Sequence, residues 1–144
     1  EPPYVGYYKW LCPTRPEAKA HILSLVEGLA KVEGVTSVHL DYIRYSDIYL
    51  PIGLLPKYKL KQETELPEFD FCYCDVCMSE FEKEHHKNPK NFTNPAVDIE
   101  WKQFRLNKVK AVVDEAYKIA HKNNKILREM FKNNYDYFII LFNF

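Results

Sequence analysis

Three cysteines fall within six residues, Cys72-Tyr-Cys74-Asp-Val-Cys77, and this crowding constrains the chain more than any other feature. Three thiols so spaced cannot all enter separate disulfides, but a turn leading into a helix can aim them at one point. A tetrahedral zinc site takes four such ligands, and Cys12 is the only cysteine left. The spacing therefore points to a structural zinc site at Cys12, Cys72, Cys74 and Cys77. Two other readings stand beside it: a disulfide within the triplet, or four reduced, buried thiols. Four thiolates would leave no position open for water, so the metal would be structural. Its apparent binding energy, about 10–16 kcal/mol, is comparable to the stability of a whole domain.

Chemistry of another kind is concentrated in Val35-Thr-Ser-Val-His-Leu-Asp-Tyr-Ile-Arg-Tyr45. The run is rich in β-branched, aliphatic and aromatic residues without Gly or Pro, which predicts a buried strand. Alternation would turn Ser37, His39, Asp41 and Ile43 one way and Val38, Leu40 and Tyr42 the other. Active sites of α/β sheets and barrels lie at the carboxyl ends of strands, and Asp41 stands near that end. A buried carboxylate is costly unless it is paired or used. Asp41 is therefore either functional, or satisfied by His39 or a neighbouring loop.

Around this strand the chain reads as a parallel α/β unit. Tyr7-Tyr-Lys-Trp-Leu11 is strand-like, and Thr14-Arg-Pro-Glu17 has capping-box spacing with Pro16 suited to a first helical turn. Ile22, Leu25, Val26 and Leu29 predict the helix's apolar stripe, with Lys19, Glu27 and Lys31 facing water and Gly34 ending it. Residues 46–71 lack periodicity but are too apolar for a disordered linker, which predicts an ordered loop folded over the strand's end. A helix is expected from near Asp75 through Phe81 towards His85. Adjacent His85 and His86 cannot share a helix face and are read as solvated. The longest helix, 97–124, would bury Trp101, Phe104, Val109, Val112, Val113, Ala116, Ile119 and Ala120. Arg105, one turn beyond Trp101, would either reach a carboxylate or lay its stem along Trp101 at the surface. After Lys125 another short apolar strand should follow. Residues 128–134 are polar instead, and 135–144 form a sticky apolar run.

If complete, a chain of 144 residues is one domain at most, and 47% hydrophobic residues suffice for a core. Lys+Arg 20 against Asp+Glu 20 argues against a nucleic-acid binder. No apolar run reaches the roughly 18–20 residues of a membrane span. The opening Glu1-Pro-Pro-Tyr carries no signal-like segment.

Four motifs in order, Leu11-Cys-Pro-Thr-Arg-Pro-Glu17, His39-Leu-Asp-Tyr-Ile-Arg-Tyr45, Phe71-Cys-Tyr-Cys-Asp-Val-Cys77 and Trp101-Lys-Gln-Phe-Arg105, resemble the glycoside-hydrolase-like family 10 proteins over residues 4–126. The resemblance implies a partial (β/α)8 TIM barrel, about strands 3–5 with their helices, acting on an oligo- or polysaccharide such as a cell-wall glycan. It also implies a secreted, periplasmic or lipid-anchored location at the cell envelope. The cysteine run is similar to the structural zinc cluster of family 42 β-galactosidases. Asp41 would be the catalytic carboxylate, as nucleophile or general acid/base. His39, Tyr42, Arg44 and Tyr45 would be its neighbours, Asp47 its backup, and Trp101 and Arg105 further substrate contacts. Tyr45, Tyr49 and Trp101 would offer flat faces to sugar rings. Ser46 replaces the family's usual Pro. A whole barrel takes about 250 residues. The expectation is thus a fragment over 1–126, with an atypical, truncated or frame-altered tail over 127–144. Its second carboxylate would lie outside the chain, leaving the chain inactive alone. The competing expectation is a non-catalytic, zinc-stabilised carbohydrate-binding or interaction module. Thiol redox chemistry at Cys74-Asp-Val-Cys77 fits less well, given the third thiol.

Overall fold

Pro16 opens the first helix, α1 (Pro16–Ala30), at its N1 position. The residue before a proline is held extended, so Arg15 (φ −74°, ψ 123°) becomes the N-cap. That moves the helix start one residue past the predicted capping box: Thr14 is buried ahead of the cap, and Glu17 pairs with Arg15 at 3.5 Å. The computed structural model describes residues 10–46, 48–65 and 69–129 and the backbone of 139–140. Two compact units divide the chain: Glu1–Leu11 with Ser46–Phe104, and Cys12–Tyr45 with Arg105–Phe144.

In the second of these units α1 buries Ala18, Ile22, Val26 and Ala30, a row repeating every four residues. The expected stripe is rotated accordingly: Leu25 is half-buried and Leu29 is exposed. Two alanines, weak signals in a hydrophobicity reading, mark the real face. Glu27 and Lys31 face water as expected, whereas Lys19 is half-buried and pairs with Glu115. The helix ends at Ala30, and Gly34, at φ +81°, supplies a left-handed turn before the next strand.

That strand, β1 (Ser37–Leu40), pairs in parallel with β3 (Ile126–Glu129), Ser37 opposite Ile126 and Leu40 opposite Glu129. Val38 and Leu40 are buried and His39 is exposed, so the alternation holds over these four residues. It fails at Asp41, which lies outside the strand. Ile43, expected on the face of His39, is buried, and β2 (Tyr42–Ile43) pairs antiparallel with β4 (Ile139–Ile140). Despite the polar Arg128 and Glu129, the chain after Lys125 does form a strand. Leu127 packs on the core while Ile126 and Arg128 are exposed, because the ladder needs only the backbone and every second side chain. The core joins Ile22, Val26, Ala30, Val38, Leu40 and Ile43 to Val109, Val112 and Ala116 of α4 (Ile99–Lys122).

The expected partial TIM barrel is not what forms. Among the described residues the sheets are one two-stranded parallel pair and one two-stranded antiparallel pair. An inner barrel strand needs parallel neighbours on both edges. Here the extended run breaks at Asp41 and changes partner, giving a small mixed fold in place of barrel strands 3–5. The remaining tail residues, the proposed strand residues 7–9 and Asp47 lie outside the described residues.

In the first unit, the stretch after Ser46 is ordered over its described residues. A 3-10 turn (Ile52–Leu54) runs into α2 (Leu55–Tyr58). The Gln62 side chain accepts from Leu50 N at 2.9 Å and donates to Ile48 O at 2.5 Å, closing the loop on itself. Helix α3 (Asp75–His85) buries Cys77 and Phe81, and His86, at φ 56°, ends it. Two short turns follow, capped by Asn88 and Asn94, and Asp98 accepts from Trp101 N at 2.8 Å at the start of α4. Phe81 meets Trp101 edge-on at 5.0 Å and Phe104 at 5.4 Å. His85 is half-buried and stacks on Phe81 at 4.4 Å, correcting the solvated reading, because it lies one helical turn from Phe81. His86 is exposed. Among the described residues, no helix is long and apolar enough to cross a membrane.

Candidate metal centre

The cysteine run straddles the start of α3. Cys74 is its N-cap, extended at φ −72° and ψ 162°, and the Cys74 carbonyl accepts from Met78 N at 3.0 Å. Cys77, three residues later, stands in the first turn and is fully buried. The first turn of a helix carries backbone N–H groups without helical acceptors, and with the macrodipole they favour negative charge. Upstream, Cys72 and Cys74 are separated by one residue; along an extended chain such positions share a side, and Tyr73 between them goes the other way. The Phe71–Cys72 peptide is cis.

The four sulfurs of Cys12, Cys72, Cys74 and Cys77 all lie within 4.8 Å of one another. A zinc ion with Zn–S bonds of about 2.3 Å at a tetrahedral centre sets its sulfurs about 3.8 Å apart. The grouping thus fits a single ion after a contraction of about 1 Å at most. Cys12, Cys72 and Cys74 are half-buried, and no disulfide joins any two of the four. Cys12 belongs to the turn before α1, where its carbonyl accepts from Arg15 N at 3.1 Å. The donor set is all sulfur, soft and anionic, and suits a thiophilic metal over magnesium or calcium.

The residues expected to handle sugar are distributed differently. His39 is exposed on β1, and Asp41 is half-buried immediately after it. Arg44 and Tyr45 are half-buried. Arg105 is buried, with its guanidinium over the Tyr45 ring at 5.6 Å. Trp101 is wholly enclosed: Phe104 stacks on it at 5.5 Å, Phe81 meets it edge-on, and Tyr73 is tilted against it at 5.4 Å. Tyr49 is exposed. The Tyr42 side chain and Asp47 lie outside the described residues.

Two residues of the centre escaped the sequence reading. Asp70 is only 3% exposed and its carboxylate accepts from the Tyr73 hydroxyl. The available signal was an acid set between Phe69 and Phe71, two residues ahead of the first cysteine of the run. Compared with known proteins, the chain matches no family model, no curated protein and no solved structure.

Proposed function

We propose that this chain is a zinc-stabilised module whose four cysteines hold one Zn²⁺ ion as a structural centre, serving carbohydrate binding or interaction with a partner. The observation that carries the metal is the convergence of all four sulfurs within 4.8 Å. Tetrahedral sulfur sites take zinc or iron, and zinc is the choice where no redox role is required. With every coordination position filled by protein, the ion orders the loop and takes no substrate. Metal analysis of the purified chain tests the reading, with about one equivalent of zinc expected. Less than about a tenth of an equivalent, with four titratable thiols, would overturn it.

Glycan hydrolysis, implied by the motif around Asp41, is a second reading with a separate observation in its favour. Asp41 is the first residue beyond the carboxyl end of the parallel strand β1, the end of an α/β sheet at which active sites are built. In the full-length parent protein, replacing Asp41 with Asn should abolish reducing-end release from a glycan while leaving metal content unchanged. Turnover that survives the change would place the chemistry elsewhere.

A further inference from the structure

We propose that Tyr73 is the positioning residue of the metal centre: held at its hydroxyl by the buried Asp70 and at its ring by Trp101, it fixes the backbone between Cys72 and Cys74 and so sets the affinity for the ion. This rests on the metal reading above and concerns how the same site is built.

Tyr73 is the residue between two ligands, so any rotation of its backbone moves both sulfurs. Its hydroxyl donates to Asp70 and its ring lies 5.4 Å from Trp101. Trp101 is fully buried and meets Phe81, which lies one helical turn beyond Cys77 on α3. Cys72, Cys74 and Cys77 are thereby referenced to one packed aromatic cluster, which resists displacement as close-packed interiors do. Asp70 adds a further reason. Four thiolates and a divalent cation leave the centre doubly negative, so a carboxylate two residues from Cys72 adds like charge. Its use is geometric: it closes a short loop across Cys72 by accepting from Tyr73. Groups that orient metal ligands from outside the coordination sphere typically change affinity by about 10–100-fold when removed.

The test uses the full chain, with zinc affinity read by competition against a chromophoric chelator and geometry read from the Co²⁺ absorption spectrum. Tyr73→Phe keeps the ring and loses the hydroxyl; zinc should bind about 10–100-fold more weakly, and the Co²⁺ ligand-field bands should shift. Asp70→Ala should do the same, and the double variant should be no worse than either single one. Asp70→Asn keeps an acceptor oxygen and should restore most of the affinity, which a loss of packing alone would not predict. Parent-like affinity and spectrum in Tyr73→Phe would overturn the positioning role while leaving the centre intact. Weaker binding with an unshifted spectrum and no rescue by Asn would overturn it too. A parent chain that takes up neither zinc nor Co²⁺ would remove the centre itself, and this role with it.

Discussion

The guanidinium of Arg105 lies over the ring of Tyr45, 5.6 Å from its centroid, and Arg105 is only 4% exposed. A cation so enclosed gains more from an aromatic face than one in water, up to about 2 kcal/mol. Tyr45→Leu, which keeps apolar bulk and loses the π face, should lower unfolding free energy by about 1–2 kcal/mol. Arg105→Lys should lose a similar amount, since an ammonium cannot stack flat. Denaturant midpoints at unchanged slope would measure both; a neutral Tyr45→Leu would mean that other bonds of Arg105 hold it.

Arg105 also marks the boundary of what the sequence discloses. Its spacing from Trp101 is a local fact, and α4 follows local periodicity closely, as do α3 and the Cys-x-Cys-x-x-Cys ligand run. Which ring the guanidinium finds is not local: Tyr45 lies in a distant part of the chain. The barrel reading failed for the same reason. Alternation across 37–40 is legible because each residue declares its own face, but a strand's partners are written nowhere in it. The change of pairing beyond Asp41 and the Leu40–Glu129 register depend on residues more than eighty positions away. Asp70 and Tyr73 are close in sequence, yet an acid next to apolar rings in a loop does not announce that it will be buried.

Removing the metal should destabilise the chain in proportion to the affinity of the centre. An ion bound by the native state alone adds about 4 kcal/mol when free zinc is about 1,000 times its dissociation constant. Thermal unfolding with chelator, then with zinc restored, should show a fall and recovery in Tm. Cys72→Ser should melt like the chelated parent and no longer respond to zinc. An identical Tm in chelator and in zinc would show that the four sulfurs converge without help from an ion.

Lys87, two residues past α3, and Glu100, in the first turn of α4, form an ion pair. The hydrogen bond from Lys87 holds the Glu100 carboxyl below its ordinary range, and the same bond raises Lys87. For Glu100, the native state binds its proton less readily than the unfolded chain does. The stabilisation is therefore present above the unfolded carboxyl pKa and is lost as pH falls through the depressed folded value. For Lys87 it is present below the unfolded ammonium pKa and lost as pH rises through the raised one. Lys87→Met should move the Glu100 titration upward in an NMR pH series, and added salt should shrink the difference. A Glu100 curve indifferent to Lys87 would show that the pair is not populated in solution.

Gly28 and Gly34 should respond to alanine with opposite signs. A Cβ built at either position meets nothing within 4 Å, so packing does not decide the outcome. Gly28 lies inside α1 in helical conformation, where glycine leaves the unfolded chain more freedom to lose. Gly28→Ala should therefore stabilise by about 0.4–1 kcal/mol. Gly34 is held at φ +81°, where an L side chain crowds its own backbone. Gly34→Ala should cost about 1–2 kcal/mol, because the turn into β1 must either accept that strain or rearrange. Equilibrium unfolding of the two variants measures both signs. Stabilisation by Gly34→Ala would mean that the turn leaves the left-handed region in solution, freeing Ser37 from its register with Ile126.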